Sequence, residues 1–236
     1  MAVHYRTQGF IIKQTDRGEA NQLFTIYTEN FGKLEIFGKA VRKIKSKLRG
    51  GAQLFYLSET EFIQGKAHKT LTDTIVINNF KNLRKDLSKL AVAYQIIGVL
   101  DSLVKGQEPD EEIWNLLNET FEKLNKQNLE IIYYYFLWNL FSILGYQPEL
   151  YRCSVCQKKI VPGILYFGLK QGGVVCGECF KNPEKDKEIN EDIIKIIRLF
   201  LTRDWPILEK LKVSVESQKL LKNVSETYLN EILGKN

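Results

Sequence analysis

Thr74-Ile75-Val76-Ile77-Asn78-Asn79, followed by Leu83, Leu87, Leu90, Tyr94, Ile97 and Leu100, is the stretch where the chain changes period. Before it lie short runs rich in β-branched and aromatic residues: 9–12, 22–27, 33–37, 53–57 and 74–77. Arg17-Gly18, Asn30-Phe31-Gly32, Gly50-Gly51 and Gln64-Gly65 separate them as turns. Five short strands in about 75 residues make a small barrel or sandwich, and a five-stranded Greek-key barrel of the oligonucleotide-binding (OB) type is one solution. Strand count alone does not separate it from an SH3-like barrel. After residue 80, apolar residues recur every three or four positions, the period of a helix. Pro109-Asp110-Glu111-Glu112 starts a second helix that carries Ile113, Leu117, Phe121 and Leu124. A third runs from Leu129 to Leu144, with Gly145 as its stop and Pro148 beyond. Asn190-Glu191-Asp192 opens a fourth, and a last one covers about 216–233, with Leu220, Val224, Tyr228 and Ile232 on one face. The expected fold class is α+β: a β-barrel at 1–80, then an all-helical domain at 81–236.

The 236 residues are 44% hydrophobic and 26% charged, with a net charge of +6. That is ordinary globular composition, long enough to bury a core. No clean apolar run of about 18 residues exists to cross a membrane. Met1-Ala2-Val3-His4-Tyr5-Arg6 lacks the architecture of a secretion signal, so a cytoplasmic location is expected. Charge is uneven. Residues 1–80 are net +5, 81–150 net −3, 151–188 net +3 and 189–236 net +1. An anionic partner would meet the first third, and the acidic middle would face away from it.

All four cysteines cluster as Cys153-x2-Cys156 and Cys176-x2-Cys179. Two thiolate pairs on tight turns supply a tetrahedral site suited to Zn²⁺. Arg152, Lys158 and Lys159 would lessen the repulsion among four thiolates. Two disulfides or free thiols are the alternatives, and clustering without a secretion signal disfavours the first. Four Cys ligands leave no open position for a catalytic water, so the expected zinc is structural, in a module inserted at about 150–182.

Lys39-Ala40-Val41-Arg42-Lys43-Ile44-Lys45-Ser46-Lys47-Leu48-Arg49 carries six cations in eleven residues and no acid. It falls between two expected strands. Such a loop beside a small barrel suits a phosphate backbone, with arginine gripping phosphate in two parallel hydrogen bonds and lysine adding point charge. A solvated loop that only aids solubility is the plain alternative. The surrounding aromatics are mostly needed to fill a small barrel, and no single ring stands out for base stacking.

Catalytic motifs are missing. There is no Gly-x4-Gly-Lys-Ser/Thr loop, no Gly-x-Ser-x-Gly elbow and no His-Glu-x-x-His pair. Glu59 and Glu61 share one strand face, read most simply as solvent-facing. Binding without catalysis is the expectation.

The order of parts resembles the RecO family of bacterial DNA repair and recombination mediators. Two stretches carry the likeness: Gly9-Phe10-Ile11-Ile12 through the basic run to Gly50-Gly51-Ala52-Gln53-Leu54-Phe55, and Leu144-Gly145-Tyr146-Gln147-Pro148-Glu149-Leu150 leading into Cys153-Ser154-Val155-Cys156. Two positions depart from the pattern. Ala40-Val41 stands where the family often has Gly-Ala, and Gln157 stands where zinc knuckles often have Gly. The resemblance implies an N-terminal OB-fold, a helical domain and a zinc module. It implies binding of single- and double-stranded DNA through Lys39, Arg42, Lys43, Lys45, Lys47 and Arg49, and metal on Cys153, Cys156, Cys176 and Cys179. It further implies annealing of complementary strands and contact with the acidic C-terminal tail of single-strand binding protein. The remaining implied partners are RecR, in some bacteria RecF, and indirectly RecA, with nucleoid association during repair. An RNA-binding or translation accessory protein, or an interaction scaffold, would fit the same barrel and loop.

Overall fold

The computed structural model describes residues 3–126, 131–181 and 186–234. His4–Arg17 forms β1, Asn21–Thr28 β2, Gly32–Gly38 β3, Leu57–Gln64 β4 and Lys69–Asn78 β5. They close a barrel in the order β1-β2-β3-β5-β4. β1 is long enough to pair with two strands: residues 4–10 with β4 and 9–17 with β2. A bulge between Ile11 and Lys13 bends it. The seam is a short parallel pairing of β3 with β5, Ile36 with Lys69 and Phe37 with Thr70. Ile11, Phe24, Ile26, Leu34, Ile36, Phe62 and Leu71 fill the interior. This is the OB-like barrel that the family resemblance implies, one of the two solutions the strand count left open.

The fourth strand lies later than its apolar run suggests. Gln53-Leu54-Phe55-Tyr56-Leu57 reads as a strand, yet β4 starts only at Leu57. Phe55 has a left-handed φ of 67°, which strand geometry forbids. The true strand looks polar because its inward Ser58 and Thr60 are hydrogen-bonded, to Gly51 O at 2.8 Å and Thr7 O at 3.2 Å.

The chain divides into two compact units, Met1–Leu129 and Glu130–Asn236. The first two helices, α1 (Leu87–Leu103) and α2 (Glu111–Lys126), therefore belong with the barrel. Leu83 sits in a separate 3₁₀ turn, and Asp86 caps α1 by accepting from the Ser88 and Lys89 amides. Leu87 and Tyr94, which share the helical spacing, are exposed, and the buried face is Ala93, Ile96, Ile97 and Leu100. Asp110, not Pro109, opens α2 by accepting from the Ile113 amide. Phe121 and Trp114 of α2 pack on Phe10 of β1, with ring centroids 5.1 and 5.6 Å apart.

In the second unit, α3 (Ile132–Ile143) is apolar all round and almost wholly buried. Leu129, assigned to this helix by spacing, lies outside the described residues. Gly145, at φ 85°, ends it in a Schellman motif: Tyr146 N–H donates to Phe141 O and Gly145 N–H to Ser142 O. α4 (Glu191–Thr202), the single turn α5 (Trp205–Leu208) and α6 (Val215–Ile232) surround it. On α6 the expected Val224 and Tyr228 are buried, joined by Leu221 and Ser225, while Leu220 and Ile232 stay half-buried. Tyr228 stacks on Trp138, whose indole N–H donates to Ser225 Oγ at 3.0 Å. A three-stranded sheet, β6 (Leu165–Gly168), β7 (Gly173–Cys176) and β8 (Lys187–Ile189), is ordered β7-β6-β8. β8 lies beyond the stretch that the cysteine spacing marks out.

Buried Asn139 donates to Tyr135 O and Phe200 O at 2.9 and 3.0 Å and accepts from Arg203 Nε at 2.9 Å. Asn139→Ala leaves these partners short of a bond in a dry site. It is expected to cost about 2–3 kcal/mol, read as a lower urea midpoint at unchanged m-value.

Candidate nucleic-acid interface and metal centre

The basic stretch is a built connection between β3 and β4. Val41 and Ala52 are buried in the barrel interior, and Leu48 packs against it. Ala40 N–H donates to Asn21 Oδ1 at 2.8 Å, Arg42 N–H to Ala20 O at 3.0 Å and Ala52 N–H to Leu48 O at 3.0 Å. Lys47–Gly50 is a 3₁₀ turn, and Thr74 Oγ1 donates to Leu48 O at 3.3 Å. Between these anchors Lys39, Arg42, Lys43, Lys45, Lys47 and Arg49 are all exposed. The structure brings one acid to them that spacing did not show: Asp16, 3.1 Å from Arg42. Among the described residues no acid pairs with the other five.

Ala40 has φ 57° and Gln157 φ 62°. Both family departures thus fall on left-handed positions, where a missing Cβ removes the strain. The turns form all the same, because each is held by neighbours: Ala40 N–H by Asn21, and Gln157 N–H by Cys153 O at 2.8 Å.

The cysteine sulfurs lie within 4.8 Å of one another, and all four thiols are free. Cys156 Sγ stands 3.9 Å from Cys176 Sγ. A tetrahedral ion with metal–sulfur bonds of about 2.3 Å needs sulfur–sulfur edges of about 3.8 Å. A disulfide would need about 2.05 Å. Cys176 N–H points at Cys153 Sγ from 3.4 Å, as backbone amides do around a thiolate. Burial opposes the Cys153 thiolate, but the amides of Cys156, Cys176 and Val155 outweigh it and bring the thiol down to about 6. Hydrogen bonds to Cys156 and Cys176, then burial, push Cys179 up to about 12. Thiols this close cannot all ionise without a cation between them, so the donor set fits a thiophilic divalent metal.

Glu59 and Glu61 lie on the outer face of β4. Glu61 pairs with His4 and Arg6 at 2.8 and 3.1 Å, and these bonds hold its carboxyl below the usual range. This is a surface ion-pair network. No helix among the described residues is long and apolar enough to cross a membrane.

Two family models cover nearly the whole chain: "Recombination protein O N terminal" over residues 1–80 and "Recombination protein O C terminal" over 84–236. The chain belongs to the RecO family. It is 32% identical to the DNA repair protein RecO of Dehalococcoides mccartyi strain 195 over 213 residues, covering 90% of this chain and 84% of that relative. It is 28% identical to the RecO of Acetivibrio thermocellus, covering 99% and 93%. Against the RecO of Halalkalibacterium halodurans it is 25% identical, covering 98% and 90%. The RecO family models meet near residue 80, whereas the compact units part at 129/130.

Ala40→Val forces a β-branched side chain into a left-handed turn. It is expected to destabilise this RecO family member by about 1–2 kcal/mol, while Ala40→Gly stays within about 1 kcal/mol of the parent. Urea unfolding of the three proteins makes the comparison.

Proposed function

We propose that this chain binds single- and double-stranded DNA through Lys39, Arg42, Lys43, Lys45, Lys47 and Arg49, and anneals complementary strands. One observation carries the reading: five exposed cations with no acid partner among the described residues sit on a backbone pinned to an OB-like barrel. Two single strands repel through their phosphates. A fixed cationic surface screens that repulsion and concentrates both strands, and base pairing supplies the free energy. No covalent step is needed, so the chain works as a binding protein and not as an enzyme. Its setting is the bacterial cytoplasm, on DNA coated by single-strand binding protein, where it acts with RecR, and in some bacteria RecF, to load RecA.

Cys153, Cys156, Cys176 and Cys179 would hold a structural Zn²⁺. Bound there, the ion joins two turns 20 residues apart and stabilises a segment with little core of its own. The acidic C-terminal tail of single-strand binding protein fits a cleft of about 310 Å³ between α3 and α6. Ile131, Tyr134, Val215 and Leu221 line it for apolar side chains, and Lys219 and Lys222 for carboxylates.

Neutralising Lys43, Lys45 and Lys47 to Gln is expected to weaken binding to all sequences alike. It should flatten the log–log salt slope by about 2, at about 0.7 per lost single-strand contact. The variant should also lose annealing of strands pre-coated with single-strand binding protein. Unchanged slope and annealing would sink the loop assignment, and a marked preference for RNA of the same sequence would move the reading to an RNA-binding protein. Lys219→Glu with Lys222→Glu is expected to weaken a fluorescent tail peptide about tenfold or more, with DNA affinity intact.

A further inference from the structure

Ser46 carries the only hydroxyl between Thr28 and Tyr56. It stands inside the cationic run, with Arg42, Lys43, Lys45, Lys47 and Arg49 about it. Lys43 N–H donates to Ala40 O at 3.2 Å, Ser46 N–H to Lys43 O at 3.0 Å and Arg49 N–H to Ser46 O at 3.4 Å. Residues joined across such turns lie within about 7 Å of each other. Lys43 and Arg49 are thus each one turn from Ser46, and Lys45 and Lys47 adjoin it. Arg42 is paired with Asp16, and among the described residues the other four have no acid partner. The backbone–backbone bonds of 43–47 stay within the run, so this stretch can open while Val41, Leu48 and Ala52 remain packed.

Ser46 is half-buried, while its neighbours from Arg42 to Lys47 are exposed. It occupies the cap position of the Lys47–Gly50 turn, yet its hydroxyl makes no capping bond. Other caps are engaged: Asp86, Asn190 and Ser214 each accept from an amide of the helix that follows. Ser214, with Lys210 and Lys212 ahead of it, also donates to Ser217 Oγ at 3.0 Å. Ser88 follows Arg84 and Lys85, but its amide donates to the Asp86 carboxylate at 2.8 Å, which would repel a phosphate. A phosphoryl group on Ser46 would meet the opposite setting. It brings three acceptor oxygens and close to two negative charges at pH 7. Cations already held about it would pair with those oxygens at little ordering cost. Tied to the loop, the group competes with DNA phosphates at an effective concentration in the millimolar range.

We propose that Ser46 is a phosphorylation site and that the modified side chain closes the basic loop to DNA. The proposal rests on the DNA-binding reading above and supplies its regulation. The modifying enzyme is a serine kinase that selects cations beside its target, and the donor is a nucleoside triphosphate. Ser46 Oγ bonds to the γ-phosphorus, and the bond from that phosphorus to the β–γ bridging oxygen breaks. The hydroxyl proton passes to the kinase's base, and the nucleoside diphosphate leaves. The cations act twice, first in recognition by the kinase and then as partners of the phosphate.

The test uses the full chain with a phosphoryl group installed on Ser46 during synthesis. It is expected to bind an oligothymidine about tenfold more weakly at low salt. The salt slope should flatten by about 1.4, for two contacts at about 0.7 each. Phosphorus NMR should place the second ionisation of the phosphate below its ordinary value of about 6, at an unchanged urea midpoint, which sets ion pairing apart from unfolding. Ser46→Ala should bind as the parent does. Treated with ATP and a serine kinase of basic preference, the parent should take phosphate on Ser46, read by mass spectrometry. Parental affinity and slope in the phosphorylated chain, alongside binding that depends on Lys43, Lys45 and Lys47, would overturn the regulation alone. Binding that ignores those lysines would overturn the loop reading and the proposal with it. A bare Ser46 after kinase treatment, with phosphate on Ser88 or nowhere, would overturn its assignment as the acceptor.

Discussion

Six like charges within eleven residues repel one another, and a free chain would spread them. What holds them together here is burial of Val41 and Ala52 in the barrel interior, with Leu48 packed against it. The hydrophobic gain at these anchors offsets the repulsion between them. Everything proposed for the loop depends on that balance. Phosphates can be gripped at fixed spacing only if the cations are already ordered when the strand arrives. The anchoring hydrogen bonds to Asn21, Ala20 and Thr74 come from β2, its turn and β5, so the loop inherits the rigidity of the barrel.

The barrel and helices were legible because their cores follow simple periods. β2 and β3 alternate or run apolar, and α2 shows one clear face at Ile113, Leu117, Phe121 and Leu124. β4 was misplaced because polarity and burial part company there: Ser58 and Thr60 face inward with their hydroxyls satisfied, while apolar Phe55 bends in a left-handed turn. In α1, Leu87 and Tyr94 fit the period yet face solvent, because the buried face runs instead through Ala93, Ile96, Ile97 and Leu100. The single turn at Trp205–Leu208 is too short to show any period at all.

The sites divide the same way. Cys153, Cys156, Cys176 and Cys179 announce themselves because ligand spacing is local, and the fold brings all four together. The cationic run is legible as a run. Its ion pair with Asp16 was not, because partners 26 residues apart leave no trace in a linear pattern. The two departures from the family pattern gain their meaning only from backbone angles. Ala40 and Gln157 both occupy left-handed turns that a glycine would enter without strain.

Among the described residues the barrel is closed by two residue pairs, Ile36 with Lys69 and Phe37 with Thr70. The whole cationic loop lies within the span that this seam ties off. Ordering the loop and shutting the seam therefore draw on the conformational entropy of the same segment. A polyanion that binds the ordered loop stabilises, by mass action, the closed barrel on which that order rests. Ligand occupancy on the outside of the molecule is thus coupled to the integrity of its interior at the thinnest point of the sheet.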